Sequence, residues 1–161
     1  MTSPTPENPL GQEIPSRFGQ PLARLIPTSG AASTFTAPPE NFYETVGGHA
    51  TFVKLVHEFY LRVAQDEILR PMYPEDDLAP AECRMLMFLE QYWGGPKTYL
   101  EERGHPRLRM RHAPFAVTPA ARDRWLDLMR AALDATELSP LHDGMLWDYL
   151  DRAAHSMVNS A

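Results

Sequence analysis

Apolar positions return every three or four residues through most of the chain. Phe52, Leu55, Val56, Phe59, Tyr60 and Val63 share one face of an amphipathic helix, and Ala81, Met85, Phe88, Leu89 and Tyr92 share one face of a second. Thr118-Pro119 and Ser139-Pro140 each put a capping hydroxyl before a proline at the first helical position. The first pair opens a helix carrying Trp125, Met129 and Leu133. The second opens one carrying Met145, Leu146, Tyr149, Leu150, Ala153 and Met157. No segment alternates polar and apolar positions in a sustained way, and no repeat is found. The pattern predicts an all-α domain with four principal helices of roughly four turns each.

Glycine and proline divide the chain. Gly47-Gly48 separates a short segment, 40–46, from the first long helix, and Gly94-Gly95-Pro96 ends the second. Neither pair follows a strand or precedes Gly-Lys-Ser/Thr, so neither is a phosphate loop. Eight of the sixteen prolines fall in the first forty residues, with only Phe18 and Phe35 as aromatics. Such a stretch buries too little apolar surface to offset its ordering entropy. Residues 1–40 are therefore expected to form a disordered Pro-rich N-terminal extension, and 41–161 the folded domain.

Charge and cysteine narrow the setting. Fifteen basic against twenty-one acidic residues leave a net charge of −6, which disfavours nucleic acid as a partner. No apolar run approaches the ~18 residues of a membrane span, and the first twenty residues lack a signal-like apolar core. Cys83 is alone, which removes an intrachain disulfide and any cysteine-built metal site. These features point to a cytoplasmic protein.

Candidate chemistry is concentrated in a few residues. Among six histidines, at 49, 57, 105, 112, 142 and 155, no pair has zinc-protease spacing. His112 has the best context. Pro114 turns the chain out of helical geometry just beyond it, and Arg103, Arg107, Arg109 and Arg111 precede it. The arginines read either as a solvated basic surface or as a grip for carboxylates or phosphates; an acidic chain favours a small anionic ligand. Tyr60, Tyr73 and Trp125 combine apolar rings with polar handles that need partners when buried. Glu75-Asp76-Asp77 complements the dipole of the helix that follows.

The run from Phe88 to Pro96 (FLEQYWGGP), then Gly104-His105-Pro106 and Arg111-His112-Ala113-Pro114-Phe115, closely resembles the group II truncated haemoglobins. Phe42 to Gly48 (FYETVGG) and Ala153 to Ser156 (AAHS) resemble them too, so the likeness spans essentially all of 41–161. It implies a two-over-two α-helical sandwich around one noncovalent haem b per chain. His112 would be the proximal iron ligand, with Tyr60, Tyr73 and Trp125 as polar distal residues. Ala81 matches the position where longer globins commonly carry histidine. Met85 departs from the leucine or glutamine common in relatives, and it offers no donor. Phe88 and Phe115 would pack on the porphyrin, and Tyr99, Arg109 and Arg111 would contact its propionates. No Cys-x-x-Cys-His is present for covalent attachment.

The expected function is reversible binding of O2, and of NO and CO, at a five-coordinate iron with slow oxygen release. An alternative is a redox enzyme, an NO dioxygenase or peroxidase, served by an outside reductase. A haem-free helical interaction module is the third reading. A homodimer is left open.

Overall fold

The structure is a computed structural model that describes residues Pro38–Ala161; most of the expected N-terminal extension lies outside the described residues. The chain runs α1 (Phe42–Thr45), α2 (His49–Val63), α3 (Ala79–Tyr92), α4 (Thr98–Arg103), α5 (Leu108–His112), α6 (Pro119–Ala135) and α7 (Pro140–Met157), with a 3-10 turn at Arg70–Met72. No strand occurs among the described residues. The four long helices follow the apolar periodicity. Both expected caps form: Thr118 Oγ1 accepts the Ala121 N–H at 3.1 Å and Ser139 Oγ accepts the His142 N–H at 3.4 Å.

The pair α2/α3 is stacked on the pair α6/α7 through α2 on α6, a two-over-two arrangement. Phe52, Leu55, Val56, Phe59 and Val63 of α2 are fully buried with Met129 and Leu133 of α6 and Leu146 of α7. Each such side chain contributes roughly 1.5–3 kcal/mol by leaving water. The acidic run before α3 divides its work. Asp77 accepts the Ala79 N–H at 2.9 Å, as a helix start requires, whereas Glu75 pairs with Arg84 at 3.1 Å.

Gly48 and Gly95 both border the Tyr43 ring. Tyr43 donates its backbone N–H to Trp93 O at 3.2 Å and its phenol to the buried Glu90 carboxylate, which His49 Nδ1 also reaches at 3.0 Å. Burial, then the hydrogen bond to Glu90 and its negative charge, pushes the Tyr43 phenol up to about 12. A Cβ on Gly95 would lie 2.8 Å from the Tyr43 ring and 2.9 Å from Glu90 O, so only glycine fits this clasp. Gly94, at φ +97°, turns the chain out of α3.

Asp66, just beyond α2, ties that end of the bundle to α6. Its carboxylate accepts the N–H groups of Ile68 (3.1 Å) and Leu69 (2.8 Å) and the Arg124 guanidinium. Burial pushes its carboxyl up, but the Leu69 N–H, Arg124 and the Ile68 N–H outweigh this and hold it below the usual range. A folded-state value below the unfolded one gives stability that is present above ~4 and lost as pH falls through the folded value. Asp66→Asn is expected to cost about 1.5–3 kcal/mol at pH 7. Thermal melts between pH 2 and 7 should show the gap to wild type closing toward acid; a gap independent of pH would locate the cost in packing instead.

Candidate functional site

A cavity of about 590 Å³ opens beside the bundle, bounded by residues of α2 through α7 and the turn between α2 and α3. That volume lies in the range of cofactor-sized clefts. Ten of the eleven residues singled out from the sequence line it: Tyr60, Tyr73, Ala81, Met85, Phe88, Tyr99, Arg111, His112, Phe115 and Trp125. Arg109 does not. On a helix of 100° per residue, Leu108, Arg111 and His112 share the inward side of α5, and Arg109 and Met110 fall outward and exposed.

His112 is the last residue of α5, but Ala113 keeps right-handed helical angles (φ −55°, ψ −36°) where Pro114 is expected to impose an extended residue; the proline ends the helix instead by bringing no N–H to continue it. Its Nδ1 lies 2.6 Å from Leu108 O, one turn back, and donates its proton there. The tautomer that makes this bond leaves the Nε2 lone pair free to act as a ligand. Among the described residues no other imidazole lines the cavity, and no cluster of three or more His, Cys, Asp or Glu could hold a metal. A metal meeting His112 here must bring its remaining ligands with it. A flat macrocyclic complex fits that requirement and the apolar walls.

Tyr60 is 5% exposed, and its ring meets that of Tyr73 at 5.8 Å, nearly edge to face. Burial, the charge Tyr73 would carry and a hydrogen bond to it hold the Tyr60 phenol far above its usual range. Burial raises Tyr73 as well, against the lowering effect of the same bond. Both phenols therefore stay protonated and remain donors. Trp125 packs on Phe59 at 5.3 Å between ring centres. Ala81 is buried; Met85 and Phe88 are half-buried.

Arginine rims the cavity more widely than the sequence reading placed it. Arg84, Arg103 and Arg122 line it along with Arg111. The Arg103 and Arg111 guanidinium groups lie 5.9 and 5.8 Å from the centre of the Tyr99 ring. Arg111 also holds two backbone carbonyls, Pro106 O at 2.7 Å and Arg103 O at 2.8 Å, so it shapes the loop before α5 as well as the rim. Tyr149 is a further lining residue, raised above its usual pKa by burial and by Tyr92, on which it stacks at 4.0 Å. Its place on the α7 stripe reads as packing, and nothing in the sequence separates it from its neighbours.

Comparison with known proteins gives one family. The bacterial-like globin family model matches residues 41–159. The Group 2 truncated hemoglobin YjbI of Bacillus subtilis is 40% identical over 126 residues, 78% of this chain and 91% of that protein. The thermostable hemoglobin of the actinobacterium Thermobifida fusca is 58% identical with a TM-score of 0.73, covering 73% of this chain and 96% of that one. The group II truncated hemoglobin of Bacillus anthracis is 38% identical with a TM-score of 0.72, covering 76% and 93%. No helix among the described residues is long and apolar enough to cross a membrane.

Proposed function

The chain belongs to the bacterial-like globins, as a group II truncated haemoglobin, and we propose that it binds oxygen reversibly and releases it slowly. It binds haem b noncovalently. When bound, the haem would supply an iron able to take a diatomic ligand.

The chain's own residues do the rest. His112 would hold the iron through Nε2, its ring fixed by the Nδ1–H bond to Leu108 O. Tyr60, Tyr73 and Trp125 would surround the ligand with polar groups; since Tyr60 and Tyr73 are hydrogen-bonded to each other, one phenol proton and the Trp125 N–H remain to meet the negative charge on the ligand. Ala81 leaves room for it, and Met85 offers no competing donor. Phe88 and Phe115 would pack on the porphyrin. Arg103 and Arg111, braced on Tyr99, would meet its carboxylates at the rim, a role Arg109 is not placed to take. NO and CO would take the same place, an outside reductase would keep the iron ferrous, and the lone Cys83 favours a cytoplasmic setting.

One observation carries this reading: a single cavity gathers a histidine with its ligating nitrogen free and three protonated ring donors. The test is the spectrum of the haem-loaded ferrous protein with and without oxygen, with on- and off-rates measured. A five-coordinate ferrous spectrum and a slowly dissociating oxygen adduct are expected. Turnover of NO or peroxide with a reductase, in place of a stable adduct, would make the protein an enzyme. Failure to form a Soret band on haem addition would leave only a helical interaction module.

A further inference from the structure

The helix that carries His112 has little of its own to keep it in place. α5 has five residues, opens from Arg107 at φ +42° and has no buried residue. A single turn lies far below the length at which a helix persists in water. On the near side Arg111 grips the preceding loop. On the far side the grip comes from a residue outside the cavity, Asn159, just beyond α7.

The Asn159 carboxamide is fully engaged with the stretch 112–117. Its Oδ1 accepts the Val117 N–H at 2.9 Å, and its Nδ2 donates to His112 O at 3.2 Å and Phe115 O at 2.9 Å. The backbone N–H groups of Asn159 and Ser160 both reach Val117 O, at 3.0 and 3.2 Å, and Ser160 Oγ donates to Asn159 Oδ1 at 3.0 Å. The turn after α5 has bonds of its own, Phe115 N–H to His112 O at 2.9 Å and Val117 N–H to Phe115 O at 3.1 Å, and Asn159 adds a second partner to each of these groups. The three residues so tied, His112, Phe115 and Val117, all line the cavity. The site demands an amide: two donors face two carbonyls while one acceptor faces an N–H. An aspartate would set an anionic oxygen against those carbonyls.

We propose that Asn159 is a positioning residue that fixes α5 against the end of α7, and so sets the direction of the His112 ring and the firmness with which haem is held. This rests on His112 being the axial ligand. Asn159 touches neither haem nor gas; it acts through the backbone of residues 112–117.

Asn159→Ala and Asn159→Asp in the full-length, haem-loaded protein test it. Haem transfer to an apomyoglobin acceptor should speed roughly tenfold in each, the loss of about one net hydrogen-bonding contribution. The iron–histidine stretching band of the ferrous protein should shift or broaden, and exchange of the Val117 amide should rise. The decisive control is His112→Gly loaded with free imidazole. An imidazole not joined to the chain has no reason to follow α5, so Asn159→Ala should leave its iron–nitrogen band unmoved. A band unmoved in the wild-type background, or moved equally in both, overturns the clamp. If His112→Gly keeps the native spectrum without imidazole, the axial-ligand assignment fails and the proposal falls with it.

Discussion

His112→Gly is expected to lose haem at least a hundredfold faster than wild type, and added imidazole should restore both the spectrum and retention. Removing a group that only orients a metal ligand typically costs ten- to a hundredfold in affinity; removing the ligand itself costs more. No second nitrogen ligand can step in, because among the described residues no other imidazole lines the cavity. The folded bundle should survive. His112 is only partly buried, and its side-chain bond is made inside α5, so far-ultraviolet dichroism and the apoprotein melt should hardly change. Haem retention within a few-fold of wild type, with an unchanged five-coordinate ferrous spectrum, would move the iron ligand elsewhere.

Trp125→Phe should speed oxygen release by about ten- to a hundredfold. A hydrogen bond to a group bearing charge contributes ~1.5–3 kcal/mol, and each 1.4 kcal/mol is a factor of ten. The substitution keeps an aromatic ring against Phe59 while deleting the N–H together with the smaller indole ring, and the carbon monoxide rate reports the steric part. Carbon monoxide, which carries less negative charge when bound, should respond less. Tyr73 is tied to Tyr60, and a donor held in such a pair can re-aim when Trp125 is gone. Trp125→Phe combined with Tyr73→Phe should therefore be non-additive in the stopped-flow off-rate. Equal acceleration of both gases by Trp125→Phe would make the indole a steric gate.

What could be read from the chain alone depended on element length. α2, α3, α6 and α7 each repeat the apolar step several times, and α6 and α7 also announce their starts with capping hydroxyls. α4 and α5, of six and five residues, contain too little of a period to register. They exist because other parts of the molecule hold them: Gln91 Oε1 accepts the Leu100 N–H at 2.8 Å, and Arg111 and Asn159 secure α5. Glu90 illustrates the same limit in the core. A carboxylate is buried inside α3 because Tyr43 and His49, more than forty residues earlier, supply its partners. At the site, Tyr60, Phe88 and Trp125 sat on apolar stripes and His112 near a proline, while the resemblance to truncated haemoglobins supplied their roles and added Tyr73, Tyr99 and Phe115. The arginines could not be placed, since which of four neighbours faces inward depends on where α5 begins and how it turns.

The side chains with essentially no exposure, Phe52, Leu55, Val56, Phe59, Val63, Met129, Leu133 and Leu146, do not include any that line the cavity. Yet Tyr60, Leu69, Ala81, Leu89, Ala121 and Leu150 belong to the same buried core and do line it. The wall of the cavity and the hydrophobic core are thus one continuous body, so haem bound there adds its mass-action increment to the stability of the whole bundle.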